Sequence, residues 1–189
     1  MKFDLTKKMT IGAKRTLRLL RDTLRSLLCE KSFEAIQVTE ICERSMIPKS
    51  TFYNYFDDKY DLLHYFFQSY ELEICTPSGG TKKASGSSDV LNKLLDSLEK
   101  NWSYLEKILH FNSPTGYFYQ EYHQFFIDSI YRYMIQNTEK ELKKELPFEL
   151  IAKMNAYAVL TVLEWVYVKG HPLSREEMIT YIQKLRFHL

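Results

Sequence analysis

The residues best suited to molecular recognition form one short run, residues 49–56, with the sequence KSTFYNYF. Phe52 and Phe56 are four residues apart, so they would share one side of a helix. The side chains left outside are polar or aromatic: Lys49, Ser50, Thr51, Tyr53, Asn54 and Tyr55. Such side chains near the start of a helix read base edges and phosphates in the major groove. The run therefore predicts a DNA-reading helix, and the alternative is a solvated surface of a small helical domain.

A second short helix is predicted just before this run. Val38, Ile41 and Cys42 fall on one helical face, and Met46-Ile47-Pro48 interrupts the pattern. Two short helices separated by such a break form a helix-turn-helix, which presents its second helix to DNA.

The segment from Phe33 to Leu63 resembles the N-terminal DNA-binding domain of TetR-family transcriptional regulators. The similarity continues after the run at 49–56 with Asp58-Lys59 and Leu62-Leu63. It implies a three-helix DNA-binding domain followed by a larger helical regulatory and dimerisation domain. It also implies DNA contacts from Gln37 and Thr39 at the start of the first motif helix.

Three positions depart from the family pattern. Met46 stands where a turn glycine is usual. Either the methionine adopts a left-handed backbone conformation, which costs about 1 kcal/mol or more of conformational free energy, or the chain turns differently. Gln37 stands where serine or threonine usually caps the helix, and glutamine is a poor cap. Pro48 precedes the recognition helix, where its fixed φ suits a helix start.

Charge is divided unevenly along the 189 residues. Residues 1–56 carry 11 Lys/Arg and 6 Asp/Glu, a net +5, whereas residues 57–189 carry 15 and 18, a net −3. The positive end suits a polyanion. A basic stripe runs along the first helix at Lys14, Arg18, Arg21 and Arg25, of which we expect only the beginning, with Lys14 and Arg15, to approach phosphate. Lys59, at a helix start beside backbone donors, is predicted to bind phosphate.

The chain is predicted to be all-α. Its six glycines and five prolines cluster, and the stretches between them show apolar residues at helical spacing. We expect a DNA-binding domain over 9–60 and a helical effector-binding and dimerisation domain over 61–189. A small, polar segment at 76–89 is predicted to be a flexible linker.

Aromatic residues are dense between 117 and 135. In proteins that resemble this chain the later helices enclose an effector, so we predict effector contacts from Tyr119, Tyr122, His123 and Phe126. Core packing is the alternative for any single ring.

The segment 148–169 is apolar around most of its circumference, and a capping box, Ser174 to Glu177, begins a last helix. A helix apolar on two sides must be covered twice, once by its own core and once by a second copy. The predicted dimer contacts are Ala156, Leu160, Leu163, Ile182 and Leu185. The alternative is a central helix of a monomer.

Other classes of protein find little support. Catalytic motifs are missing from the sequence, and three cysteines without CxxC spacing indicate neither disulfides nor zinc. We therefore predict no enzyme activity, no cofactor and no metal. The longest apolar run has five residues, so no membrane span is expected, and we expect a cytoplasmic protein.

The sequence-based hypothesis is a homodimeric repressor that binds double-stranded operator DNA and responds to an unknown small-molecule or protein effector. Ile41-Cys42 and residues 58–63 are similar to a subgroup that includes regulators of dihydroxyacetone-kinase operons. A regulator or adaptor that recruits a protein partner through its C-terminal domain is the alternative.

Overall fold

A computed structural model describes residues 9–75, 87–137 and 146–185, and every regular element in these ranges is helical. The first five elements are α1 (Ile11–Leu28), a 3-10 turn (Phe33–Ala35), α2 (Val38–Ser45), α3 (Lys49–Tyr55) and α4 (Lys59–Cys75). They are followed by α5 (Ser87–Phe111), α6 (Tyr117–Asn137), α7 (Phe148–Leu163), a π-helical segment (Glu164–Val168) and α8 (Arg175–Leu185). The all-α prediction is confirmed. None of these helices is long and apolar enough to cross a membrane.

The described residues of 9–75 and 96–119 form one compact unit. In α1 the buried side chains recur every three or four residues, which gives the helix a single apolar face. That face packs on α2 and α4, and α2 packs on α3. The fully buried residues that join these helices include Leu20, Leu24, Ile41, Phe52, Phe56, Leu62 and Leu63.

This compact unit extends beyond the predicted 9–60 domain. The apolar side of α4 is part of its core, since Phe66 and Phe67 are each only 4% exposed. The ring of Phe67 lies 5.4 Å from that of Phe118 at the start of α6. Of the predicted linker at 76–89, residues 76–86 lie outside the described ranges, and 87–89 belong to α5.

The described residues of 84–95 and 120–189 form the second compact unit. In it α7 packs on α8, around Ile151, Ala152, Ala156, Met178 and Ile182, each at most 3% exposed. The predicted capping box begins α8. The Ser174 amide donates to Glu177 Oε2 (2.7 Å), and the Glu177 amide donates to Ser174 Oγ (3.2 Å).

The helix predicted over 148–169 has a change of pitch near its end. From Glu164 to Val168 the segment is π-helical, and the amide of Lys169 donates to the carbonyl of Glu164 at 2.9 Å. Gly170 then leaves the helix with φ of +74°, a conformation that favours glycine. The His171 ring folds back and stacks on Trp165 with centroids 3.8 Å apart.

Candidate DNA-binding surface

The recognition helix α3 is anchored by two aromatic rings. Phe52 and Phe56 are completely buried, and their centroids lie 5.6 Å apart. Phe56 also contacts Tyr65 of α4 at 5.7 Å. Because the buried rings fix how α3 is rotated, they determine which of its side chains face solvent.

The opposite side of α3 carries the predicted DNA contacts. Lys49, Ser50 and Asn54 are exposed, and Tyr53 is 45% exposed. Thr51 and Tyr55 are half-buried along the edge of the same helix. The structure thus brings these six residues onto one short helix, with amide, hydroxyl and cationic groups facing outward.

The turn before α3 uses a left-handed methionine. Met46 has φ of 56° and ψ of 31°, and its side chain is 90% exposed. Its amide donates to the carbonyl of Glu43, and the amide of Ile47 donates to Cys42. This pair of bonds is a Schellman motif, which usually places glycine at the left-handed position. Met46 therefore adopts the strained left-handed conformation, which was the first of the two alternatives expected at this position.

At the start of α2 the side chain of Gln37 is exposed and makes no capping hydrogen bond. Its backbone is extended, and its carbonyl accepts from the amide of Ile41 at 3.1 Å. Thr39 is half-buried in the first turn of the same helix. Both predicted contacts therefore lie at the beginning of α2, where backbone donors suit an anion.

Lys59 is engaged inside the protein, which corrects the prediction that it binds phosphate. Its ammonium donates to the carbonyls of Phe33 (2.9 Å), Glu34 (2.9 Å) and Ile36 (2.8 Å). A lysine has three donors, so all of them are used. Burial lowers the pKa of Lys59, and the charge of Glu34 opposes that shift. The side chain holds the 3-10 turn and is not free for DNA.

The basic stripe of α1 is also largely satisfied within the chain. Arg18 and Arg21 both pair with Asp22, at 3.5 Å and 2.8 Å. The guanidinium of Arg25 lies 3.7 Å from the centroid of the Tyr104 ring. Lys14 and Arg15, near the capped start of α1, are exposed. The expectation that only the beginning of the stripe approaches phosphate stays a prediction.

Residues 20–66 match the model of the family described as bacterial regulatory proteins, tetR family. This range includes α2, α3 and the start of α4. This segment of the chain is thus similar to TetR-family transcriptional regulators. The family match covers the motif that carries the exposed residues of α3. Regulators of this family bind operator DNA and are not enzymes, and both points agree with the sequence-based predictions.

Three further matches, one to a sequence and two to solved structures, extend the comparison over most of the chain. The dhaKLM operon transcriptional activator DhaS of Lactococcus lactis subsp. lactis (strain IL1403) is 22% identical over 163 residues, which cover 85% of this chain and 83% of that protein. A solved structure of a dihydroxyacetone kinase operon activator DhaS has a TM-score of 0.60 at 20% identity, covering 90% and 93% of the two chains. A TetR regulator from Streptococcus agalactiae 2603V has a TM-score of 0.64 at 16% identity, covering 92% and 95%. At these identities the structures show the TetR-like fold.

The four predicted effector residues fall on α6 but are divided between the two compact units. Tyr119 belongs to the first unit and is 9% exposed. Tyr122, His123 and Phe126 belong to the second. Burial, with the charge of Glu164 adding to it, raises the pKa of the Tyr122 hydroxyl to about 12.

A polar pair lies beside these rings in the second unit. His123 Nε2 lies 3.7 Å from Glu164 Oε1, at the first residue of the π-helical segment. The His123 ring is 6.3 Å from that of Tyr157 on α7. The His123 imidazole, the Glu164 carboxylate and the Tyr122 phenol thus lie near one another. The sequence did not show this, because Glu164 comes 41 positions after His123.

The predicted dimer residues need correction. Ala156, Leu160, Leu163 and Ile182 are between 0% and 5% exposed within a single chain, so their own chain covers them. Leu185 is 52% exposed and remains available. The outward side of α7 and the segment after it instead carries large apolar residues, namely Leu150, Met154, Tyr157, Trp165 and Val168. Their spacing of three, four or eight residues was visible in the sequence, but it did not show which apolar side faced the core.

Proposed function

We propose that this chain is a homodimeric, sequence-specific operator-binding protein whose α3 reads base edges in the major groove. The observation that carries the proposal is the two-sided character of α3. Phe52 and Phe56 are fully buried, while Lys49, Ser50, Tyr53 and Asn54 are exposed. A hydrogen-bonding surface held on a rigid apolar base is what direct readout requires.

The exposed residues have different chemical roles in this proposal. The Asn54 amide can donate and accept at once, which suits the N6 and N7 of adenine. Tyr53 and Tyr55 offer hydroxyls and ring faces, and the half-buried Thr51 offers a methyl group to thymine. Lys49 and Ser50 at the beginning of α3, with Gln37 and Thr39 at the beginning of α2, are assigned to phosphate.

The charge distribution supports the same face. The net charge of +5 on residues 1–56 attracts DNA without sequence preference. Lys14 and Arg15 are exposed near the start of α1 and can add phosphate contacts. Operator DNA also sets the location, and we propose that the protein acts in the cytoplasm.

The second unit is proposed to join two copies through the exposed apolar side of α7 and α8. Met154 and Tyr157 on α7 are 37% and 43% exposed, and Tyr181 and Leu185 on α8 are 44% and 52% exposed. A two-fold dimer buries one such self-complementary surface on each copy. Two recognition helices about 34 to 36 Å apart then meet successive major grooves on one face of the duplex.

Control of DNA binding is proposed to come from an effector bound near Tyr122, His123 and Phe126. The ring of Phe126 is buried, and Tyr122 and His123 are half-buried. An adaptor that recruited a protein through these rings would need them on an exposed patch, so the burial favours a small-molecule effector. A small molecule found by thermal shift is expected to lose its effect in Phe126→Ala, while unliganded DNA binding persists.

The direction of regulation separates two versions of this function. Repression is the sequence-based expectation, whereas DhaS is named an activator. A reporter gene that carries the selected operator beside its promoter distinguishes the two. Supplying the protein should lower the amount of transcript if it represses and raise it if it activates.

The experiment that tests the proposed function is selection of duplexes from a randomised pool by the purified full-length chain. We expect enrichment of a site with two related half-sites whose centres are about 10 base pairs, or a multiple of that, apart. Triple substitution of Ser50, Tyr53 and Asn54 by alanine should abolish the enrichment. Failure of the wild-type chain to enrich any sequence would contradict the proposal.

A further inference from the structure

The 3-10 turn before the helix-turn-helix is tied to the beginning of α6. The amide of Tyr117, the first residue of α6, donates to Glu34 Oε1 at 2.8 Å. A carboxylate at this point satisfies one of the unpaired amides of the helix and favours its dipole. The approach is close, because a Cβ added to Gly116 would lie 3.3 Å from the same oxygen.

A buried amide makes a second connection between the same segments. Asn112, 2% exposed at the end of α5, accepts from the amide of Phe33 at 2.8 Å. Its Nδ2 donates to the carbonyl of Ile108 at 2.8 Å and to that of Leu28 at 3.4 Å. The α5–α6 connection is thereby fixed to the end of α1 and to the 3-10 turn.

Aromatic contacts complete the junction. The Tyr117 ring stacks on Phe33 with centroids 5.7 Å apart and meets the edge of Tyr60 at 4.7 Å. Lys59, beside Tyr60 at the start of α4, donates to three carbonyls of the turn region. The turn leads within three residues into α2, and α4 follows α3 after a similar gap. All of these residues belong to the first compact unit.

We propose that Glu34 is a positioning residue that couples the beginning of α6 to the helix-turn-helix, so that a displacement of α6 changes how α2 and α3 are held. The inference rests on the proposed function, since it concerns how that function is controlled. Glu34 itself is exposed and lies outside the recognition helix, so its substitution removes none of the side chains assigned to DNA.

Coupling between two sites is reciprocal, so DNA can be used as the probe in place of an unidentified effector. The full-length chain is titrated with the duplex selected from the randomised pool, and hydrogen exchange is followed at residues 113–121. In the wild type we expect bound DNA to slow exchange there by about 5-fold or more. In Glu34→Ala this remote protection should be lost, while protection of residues 38–56 persists.

Two controls separate positioning from folding. Glu106→Ala removes an exposed carboxylate of the same unit and should keep the remote protection. Glu34→Gln retains an oxygen that accepts from the Tyr117 amide, so it should restore part of the protection. Exchange is compared under conditions in which unfolding curves show all three variants to be fully folded, so that a difference in global stability is not the cause.

A measurement without DNA tests the same connection. In the free protein, Glu34→Ala should speed exchange at 117–120 and also at 38–45, because the two segments are held together. Unchanged exchange at both segments, or DNA protection at 113–121 that survives in Glu34→Ala, would overturn the inference. Failure to select a duplex would contradict the proposed function, whereas the free-protein result tests the coupling by itself.

Discussion

Lys59 Nζ lies 2.9 Å from the carbonyl oxygen of Phe33 and 4.8 Å from the centroid of the Phe33 ring. One cation therefore satisfies the backbone and faces the ring of a residue 26 positions earlier. Because Phe33 is fully buried, the contact fixes the start of α4 against the segment that precedes the helix-turn-helix.

Replacing Lys59 should reduce stability more than DNA affinity. Lys59→Ala leaves three carbonyls without their shared donor, and we expect a loss of about 1 to 3 kcal/mol in the free energy of unfolding. Urea denaturation measures it, with Lys14→Ala as the exposed control. A Lys59→Ala protein of wild-type stability, with a DNA-binding salt slope shallower by about one unit, would restore the phosphate role.

Met46→Gly should stabilise the protein. The left-handed conformation costs a non-glycine residue about 1 kcal/mol or more, and the side chain is 90% exposed, so little packing is lost. After the entropy cost of glycine we expect a net gain of up to about 1 kcal/mol. Met46→Ala keeps the strain and should show no gain. Thermal and urea unfolding decide between them, and a destabilised Met46→Gly would show that the turn needs the methionine side chain.

Acid should remove the stabilising contribution of Glu34. Its pKa is held below the usual value chiefly by the hydrogen bond from the Tyr117 amide, opposed by partial burial. A carboxyl with a lowered folded-state pKa stabilises the fold above its unfolded pKa of about 4.5 and loses that contribution as pH falls through the folded pKa. The stability difference between wild type and Glu34→Gln should therefore shrink from about pH 6 to pH 3. A difference that stays constant or grows on acidification would contradict this assignment.

The proposed dimer surface can be tested without disturbing the core. Met154→Glu places a charge in the exposed apolar side of α7, and we expect monomers by sedimentation equilibrium at micromolar concentration. Lys153→Glu, at an exposed polar position next to it, should leave dimers intact. A wild type that is already monomeric would contradict the dimer, and dimeric Met154→Glu would move the interface elsewhere.

The sequence predicts most of the first unit because its determinants are local. The spacing of Phe52 and Phe56 predicted the buried side of α3, and Ser174 and Glu177 predicted the start of α8; both are confirmed. Each depends on residues within one turn of helix, for which periodicity and capping rules hold.

The remaining features depend on pairs that are distant in sequence. The carbonyls bound by Lys59 lie 23 to 26 positions earlier, and Glu34 meets Tyr117 across 83 positions. The side of α7 that faces its own core was also undetermined, because both sides are apolar. The spacing of apolar residues showed that both sides of α7 must be covered. Only the tertiary packing showed that Ala156 lies on the side that faces its own core.

The most direct test of the account compares wild type and Asn54→Ala on the selected duplex and on a scrambled duplex of the same length and composition. If α3 reads bases, Asn54→Ala should weaken binding to the selected duplex by about 1 to 3 kcal/mol and leave binding to the scrambled duplex nearly unchanged. Titrations at one fixed salt concentration give both affinities and their ratio. Equal affinities of wild type and Asn54→Ala for the selected duplex, with the same ratio to the scrambled one, would contradict a base contact by Asn54. The same equality in Ser50→Ala, Thr51→Ala and Tyr53→Ala would show that α3 is not the reading surface.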